Sequence, residues 1–209
     1  MDCAIEAYGQ ALTINPNYAE AFCNMGVTLK NQGKLDEAIV NYKKSISLKH
    51  NYHDAYYNMG ITFLDQGKMD EAVSAFEKVI SINPGYAEAY NNMAIALKNQ
   101  GKLDEAIEAC ERVLKIKPDY AEAYNNLGVI LKNQGKLKKA TDVFIKSISL
   151  KPDYAEAYSN LGATLKDQGR LDEAIGASKK ATSLKPDSAE VYSNMGNVLQ
   201  NQGKLDEAK

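Results

Sequence analysis

The chain has 209 residues, 44% of them hydrophobic and 25% charged, a balance that excludes a disordered segment and allows a buried core. Lysine and arginine number 25 against 27 aspartates and glutamates, so the net charge is −2 and there is no basic excess to bind nucleic acid or an anionic membrane surface. Cys3, Cys23 and Cys110 show no CxxC spacing, no apolar run reaches the roughly 18 residues of a membrane span, and the start lacks the order of a signal peptide, which together lead us to expect a reducing, cytoplasmic setting.

In chain order, residues 1–18 carry Ala4, Ile5, Tyr8 and Leu12 and align with the second half of each later copy of one 34-residue unit. They predict a single helix of type B. Five complete copies follow, at 19–52, 53–86, 87–120, 121–154 and 155–188, and residues 189–209 supply one more A helix and the first residues of a B helix. The period is carried by Asn-Gln-Gly-Lys at Asn31, Asn99, Asn133 and Asn201, by Asp-Gln-Gly at Asp65 and Asp167, and by an alanine column at Ala38, Ala72, Ala106, Ala140, Ala174 and Ala208. Self-similarity at such a period marks a stacked array. Neither half copy departs towards a polar capping repeat, so the chain reads as a segment of a longer array.

Within the fourth copy, Tyr124, Leu127, Gly128 and Leu131 fall at i, i+3, i+4 and i+7, the apolar stripe of helix A. Gln134-Gly135 ends it, because glycine takes the left-handed conformation at no steric cost. Helix B then runs through Leu137, Ala140, Phe144, Ile148 and Leu150 and stops before Pro152. Asp153 with Glu156 reads as a capping box for the next A helix, as do Asn17/Glu20, Asp119/Glu122 and Asp187/Glu190. Small residues at Ala123, Gly128 and Ala140 mark the closest approach of the two helices. The expectation is twelve helices, alternating A and B, with no strand.

The wording Tyr-x-x-Leu-Gly-x-x-Leu, then Gly-Lys-Leu-Asp-Glu-Ala-Ile, then Pro resembles the tetratricopeptide repeat over essentially the whole chain. Local departures are Ala94 for glycine, His50 for proline, Cys110 and Ser178 for the B-helix aromatic, and Lys138-Lys139 for Asp-Glu. The resemblance implies an all-α, right-handed superhelical solenoid whose A helices line a concave face that binds protein segments.

Little in the sequence suggests chemistry. His50 and His53 form an H-x-x-H pair without a third ligand column, and Cys110 occupies a core column shared with Tyr42, Phe76 and Phe144, so neither a metal site nor a nucleophile is expected. No cofactor is implied and no catalytic residue assigned. Asp104-Glu105 and their equivalents suit the dipole at a helix N-terminus. Lys138-Lys139 invert that choice and are expected to pair with acids of adjacent copies.

The informative columns lie on the A helices opposite the core stripe. Asparagine occupies position 24, 58, 92, 126, 160 and 194 without exception (Asn24, Asn58, Asn92, Asn126, Asn160, Asn194), although it is a middling helix former. Two readings stand side by side: a hydrogen bond to the adjacent repeat, and an amide ladder that grips the backbone of an extended peptide. Such a ladder resembles that of the tetratricopeptide arm of O-linked N-acetylglucosamine transferases, which implies an alternative role as the substrate-recruiting arm of such an enzyme. Asn91, Asn125, Val129, Lys98 and Lys132 complete the candidate binding face, with Val27, Ile61 and Ile95 as further apolar spots and Lys30 and Lys166 on the same edge. The uncovered stripe of the last A helix, with Tyr192, Met195 and Leu199, is expected to favour head-to-tail self-association.

Overall fold

The computed structural model describes residues 2–201, which form twelve α-helices with no strand among the described residues. In order these are α1 Asp2–Ile14, α2 Ala19–Asn31, α3 Leu35–Leu48, α4 His53–Asp65, α5 Met69–Ile82, α6 Ala87–Asn99, α7 Leu103–Ile116, α8 Ala121–Asn133, α9 Leu137–Leu150, α10 Ala155–Asp167, α11 Leu171–Leu184 and α12 Ala189–Asn201. Even numbers are A helices and odd numbers B helices. They gather into two compact units, one ending at Gly101 and the other beginning at Lys102.

Within each unit, successive A helices touch one another as well as the B helices on either side, whereas successive B helices do not touch. The A helices therefore form the tighter of two layers, and a side chain on an A helix meets the repeat before it. That arrangement sets up the inter-repeat bonds described below.

The turn between A and B is built by glycine. Gly33 has φ 78°, and its neighbours close the helix end with Gly33 N donating to Lys30 O at 2.9 Å and Lys34 N donating to Leu29 O at 3.0 Å. The same pair of bonds recurs at Gly135 and Lys136. Both satisfy carbonyls that the helix end would otherwise leave open.

The seam between the two helices of a hairpin depends on a second glycine. A Cβ on Gly128 would lie 2.5 Å from Phe144, and one on Gly26 would lie 2.6 Å from Tyr42. The aromatic ring thus packs directly on helix backbone, and Phe144, Phe76 and Tyr42 are fully buried. Buried serines add a polar stitch, with Ser45 Oγ donating to Ala19 O at 2.7 Å and Ser147 Oγ to Ala121 O at 2.8 Å.

The A helices start differently from the sequence expectation. Tyr18, Tyr120 and Tyr154 hold the N-cap positions of α2, α8 and α10, and none of these caps makes a side-chain hydrogen bond. The capping boxes at Asn17, Asp119 and Asp153 therefore do not form, because each helix begins one residue too late for the acidic or amide side chain to reach. The glutamates turn to lysines instead, Glu20 to Lys49 and Glu122 to Lys151, both at 2.7 Å. Of the box expected at Asp187/Glu190, the Glu190 side chain lies outside the described residues; nearby, Ser188 Oγ accepts from Val191 N at 3.4 Å.

Candidate functional site

The asparagine ladder sits on the A layer and is tied into the fold. Asn92 Nδ2 donates to the Tyr57 hydroxyl at 3.0 Å, Asn160 Nδ2 to Asn125 Oδ1 at 3.0 Å, Asn194 Nδ2 to Ser159 Oγ at 2.9 Å, and Asn58 Nδ2 approaches Cys23 Sγ at 3.9 Å. Every acceptor lies 35 residues earlier, in the column just before the preceding ladder asparagine. These four residues are half-buried, and their carboxamide oxygens make no hydrogen bond among the described residues. Asn24 is exposed, and Asn126 is half-buried.

Two other candidate residues lie deeper than a ligand-contacting role requires. Asn125 has no exposed surface; its Nδ2 donates to Glu156 Oε1 at 3.1 Å and to the Tyr154 hydroxyl at 3.4 Å, while its Oδ1 accepts from Asn160. Asn91 is buried as well. The polar atoms of Asn125 are thus taken up by Tyr154 of its own copy and by Glu156 and Asn160 of the next.

The lysine edge is partly neutralised. Lys30 pairs with Asp65 at 3.2 Å and Lys132 with Asp167 at 3.4 Å, while Lys98 makes no ion pair among the described residues. Val129, Val27, Ile61 and Ile95 are half-buried on the same layer.

A tie the sequence reading missed joins the Asn-Gln-Gly glutamine to the acidic pair of the copy before it. Gln66 Nε2 donates to Asp36 Oδ1 at 2.9 Å, Gln100 to Asp70 at 2.8 Å and Gln134 to Asp104 at 2.8 Å. Where Lys138 replaces the aspartate, Gln168 donates to Thr141 Oγ1 instead, at 2.9 Å. Lys138 and Lys139 form no ion pair among the described residues, which corrects the expected pairing across copies.

The remaining chemistry is quiet. Burial pushes the Cys110 thiol up to about 12, far from the range of a nucleophile, and raises that of Cys23 as well. His53 packs against Tyr86 in a tilted arrangement, with ring centroids 5.6 Å apart. Burial likewise pushes Tyr52 and Tyr86 up to about 12. The hydrogen bond from Lys151 holds Glu122 below the usual carboxylate range. On the last A helix Leu199 is buried, Met195 half-buried and Tyr192 52% exposed, and the B-helix residues expected to follow lie outside the described residues. No described helix is long and apolar enough to cross a membrane.

Profiles described as tetratricopeptide repeat and TPR repeat match residues 63–127 and 99–165, and 2–33, 28–67 and 164–203, respectively. The chain belongs to the tetratricopeptide-repeat family. Among solved structures, this TPR chain is similar to MamA, with 30% identity and a TM-score of 0.70 over 79% of this chain and 97% of that one. It also shares its fold with YrrB, described as a TPR protein with an unusual peptide-binding site, at 23% identity and a TM-score of 0.69 over 90% of this chain and 97% of that one. A chain of the APC/C hetero-tetramer Cut9-Hcn1 shows the same fold at 20% identity with a TM-score of 0.81, covering 96% of this chain and 40% of that one. No curated protein sequence matches the chain.

Proposed function

We propose that this TPR protein is a non-catalytic scaffold whose A-helix layer binds extended segments of partner proteins, with ladder asparagines contacting the partner backbone. TPR proteins are protein-interaction modules, and the observation that carries the finer reading is the state of the ladder amides. In Asn58, Asn92, Asn160 and Asn194 the Nδ2 is directed at the preceding copy, which orients the carboxamide, while its oxygen accepts no hydrogen bond among the described residues. An acceptor held in place before the ligand arrives loses little freedom on binding. Backbone N–H groups of an extended peptide are its natural complement, and they carry no side-chain information.

The ladder therefore has two roles that a pair of variants separates. Asn92→Ala removes both the tie and the amide, whereas Tyr57→Phe removes the tie alone. The measurement is fluorescence-polarisation affinity for a peptide selected from a random extended library and for its scrambled version, beside thermal melts of each variant. At about 0.5–1.5 kcal/mol per net hydrogen bond, Asn92→Ala is expected to weaken both peptides by about 2- to 12-fold. Tyr57→Phe should lower the melting temperature while leaving affinity within about twofold, because the amide persists. Unchanged affinity in folded Asn92→Ala protein overturns the backbone-directed reading.

A further inference from the structure

A tyrosine stands immediately before the A helix at positions 18, 52, 86, 120 and 154, and the sixth occurrence is Ser188. At positions 52, 86 and 154 the ring fills the notch between its own A helix and the one before. Tyr52 packs into the cluster that holds Cys23, Tyr86 lies on Tyr57 with centroids 5.0 Å apart, and the Tyr154 hydroxyl lies 3.4 Å from Asn125 Nδ2. Cys23, Tyr57 and Asn125 are one column, and its next described member in the second unit is Ser159. The lysine of the same turn covers the ring, with Lys49 4.5 Å from the Tyr52 centroid, Lys117 4.5 Å from Tyr120 and Lys151 4.8 Å from Tyr154.

At Ser188 no ring fills that notch. A cavity of about 250 Å³ opens there, lined by Glu156, Ser159, Asn160, Lys185, Ser188 and Val191. It is smaller than the roughly 300–1,000 Å³ of small-molecule sites, and so suits one side chain. The charges around it are also released from the pattern. Lys151 pairs with Glu122, but Glu156 accepts from Asn125, and Lys185 forms no ion pair among the described residues.

We infer that this cavity receives the phenol of a tyrosine side chain on an extended partner segment, which takes the place that the chain's own tyrosine holds in the earlier copies. Lys185 then lies over the face of the incoming ring, a cation–π contact like those of Lys49, Lys117 and Lys151. The ring edge rests on Val191, and the phenolic oxygen meets Ser159 Oγ, which accepts from Asn194 and has its own proton to give. The inference rests on the reading of this layer as a protein-binding face and names one side chain that it selects.

The test is an NMR titration of the full chain with N-acetyl-tyrosine amide, with N-acetyl-leucine amide as the control. Shifts at Ser159, Ser188 and Val191 with the tyrosine probe alone are expected. Ser188→Tyr places the chain's own ring in the cavity and should abolish those shifts; it exchanges the long Val191 bond for ring packing, and circular dichroism confirms that it folds. Lys185→Ala leaves the cavity open and should weaken the probe by about 2- to 30-fold, the range of a cation–π contact. Equal shifts with the leucine probe, no shifts with either, or unchanged tyrosine binding in folded Ser188→Tyr protein overturns the inference. Failure of the pocket leaves Asn92→Ala sensitivity intact, whereas failure of the backbone-directed reading leaves the tyrosine probe bound, so the two are told apart.

Discussion

Hairpins α8–α9 and α10–α11 have the same helix lengths and the same glycine in the seam, yet different residues face it. In the first, Phe144 packs on Gly128 backbone; in the second, the same column holds Ser178, 2% exposed and without a hydrogen-bond partner for its hydroxyl. The close approach survives the loss of the ring. Helix pairing is thus set by glycine, capping turns and the alanine column, while the ring contributes packing energy to a geometry already specified.

Three measurements sharpen that comparison. The largest effect is expected from Phe144→Ala, which empties a fully buried seam and should cost about 3–5 kcal/mol in urea unfolding while the helical circular dichroism of the folded state is unchanged. A loss under about 1 kcal/mol would mean that the ring's space collapses as it does around Ser178. Next, Ser178→Ala removes a buried hydroxyl without a partner and should stabilise the chain by about 1 kcal/mol; destabilisation would show that water satisfies the group. The smallest effect concerns Tyr42, which occupies the ring column with a buried hydroxyl that burial pushes up to about 12. Its folded value lies above the unfolded one, so its contribution is complete below pH about 10 and is lost as pH rises towards 12. Tyr42→Phe also removes a buried hydroxyl without a partner, so it should raise neutral-pH stability by less than about 1 kcal/mol and move the alkaline unfolding midpoint upward.

The period alone made the helix count and alternation legible, because the glycine in Asn-Gln-Gly-Lys can close only one kind of helix end and the apolar spacing on either side is helical. The helix starts were less legible. Asp153 and Glu156 satisfy the wording of a capping box, but Tyr154 anchors against Asn125 and shifts the start by one residue. The burial of Asn125 had no local signal, since the atoms that meet it come from the far end of its own copy and from the next one. By contrast, the Gln66–Asp36 tie had one: a glutamine in every copy, paired with an aspartate column that fails only where Lys138 stands. The constancy of the ladder asparagines suited both an inter-repeat tie and a ligand contact, and their acceptors differ in chemical type from copy to copy, which hid the tie.

That diversity of acceptors has a consequence for how such an array can grow. The ladder donor is always an amide, but it is met by a thiol, a phenol, a carboxamide or a serine hydroxyl, so the receiving position needs only a lone pair at the right height. Each bond also runs one way, from a copy to its predecessor. A duplicated 34-residue unit therefore arrives with its own donor and finds a usable acceptor in whichever unit precedes it, and the interface needs no matched change on both sides. The array is modular at the level of a single hydrogen bond, and the acceptor column is left open to take on other work.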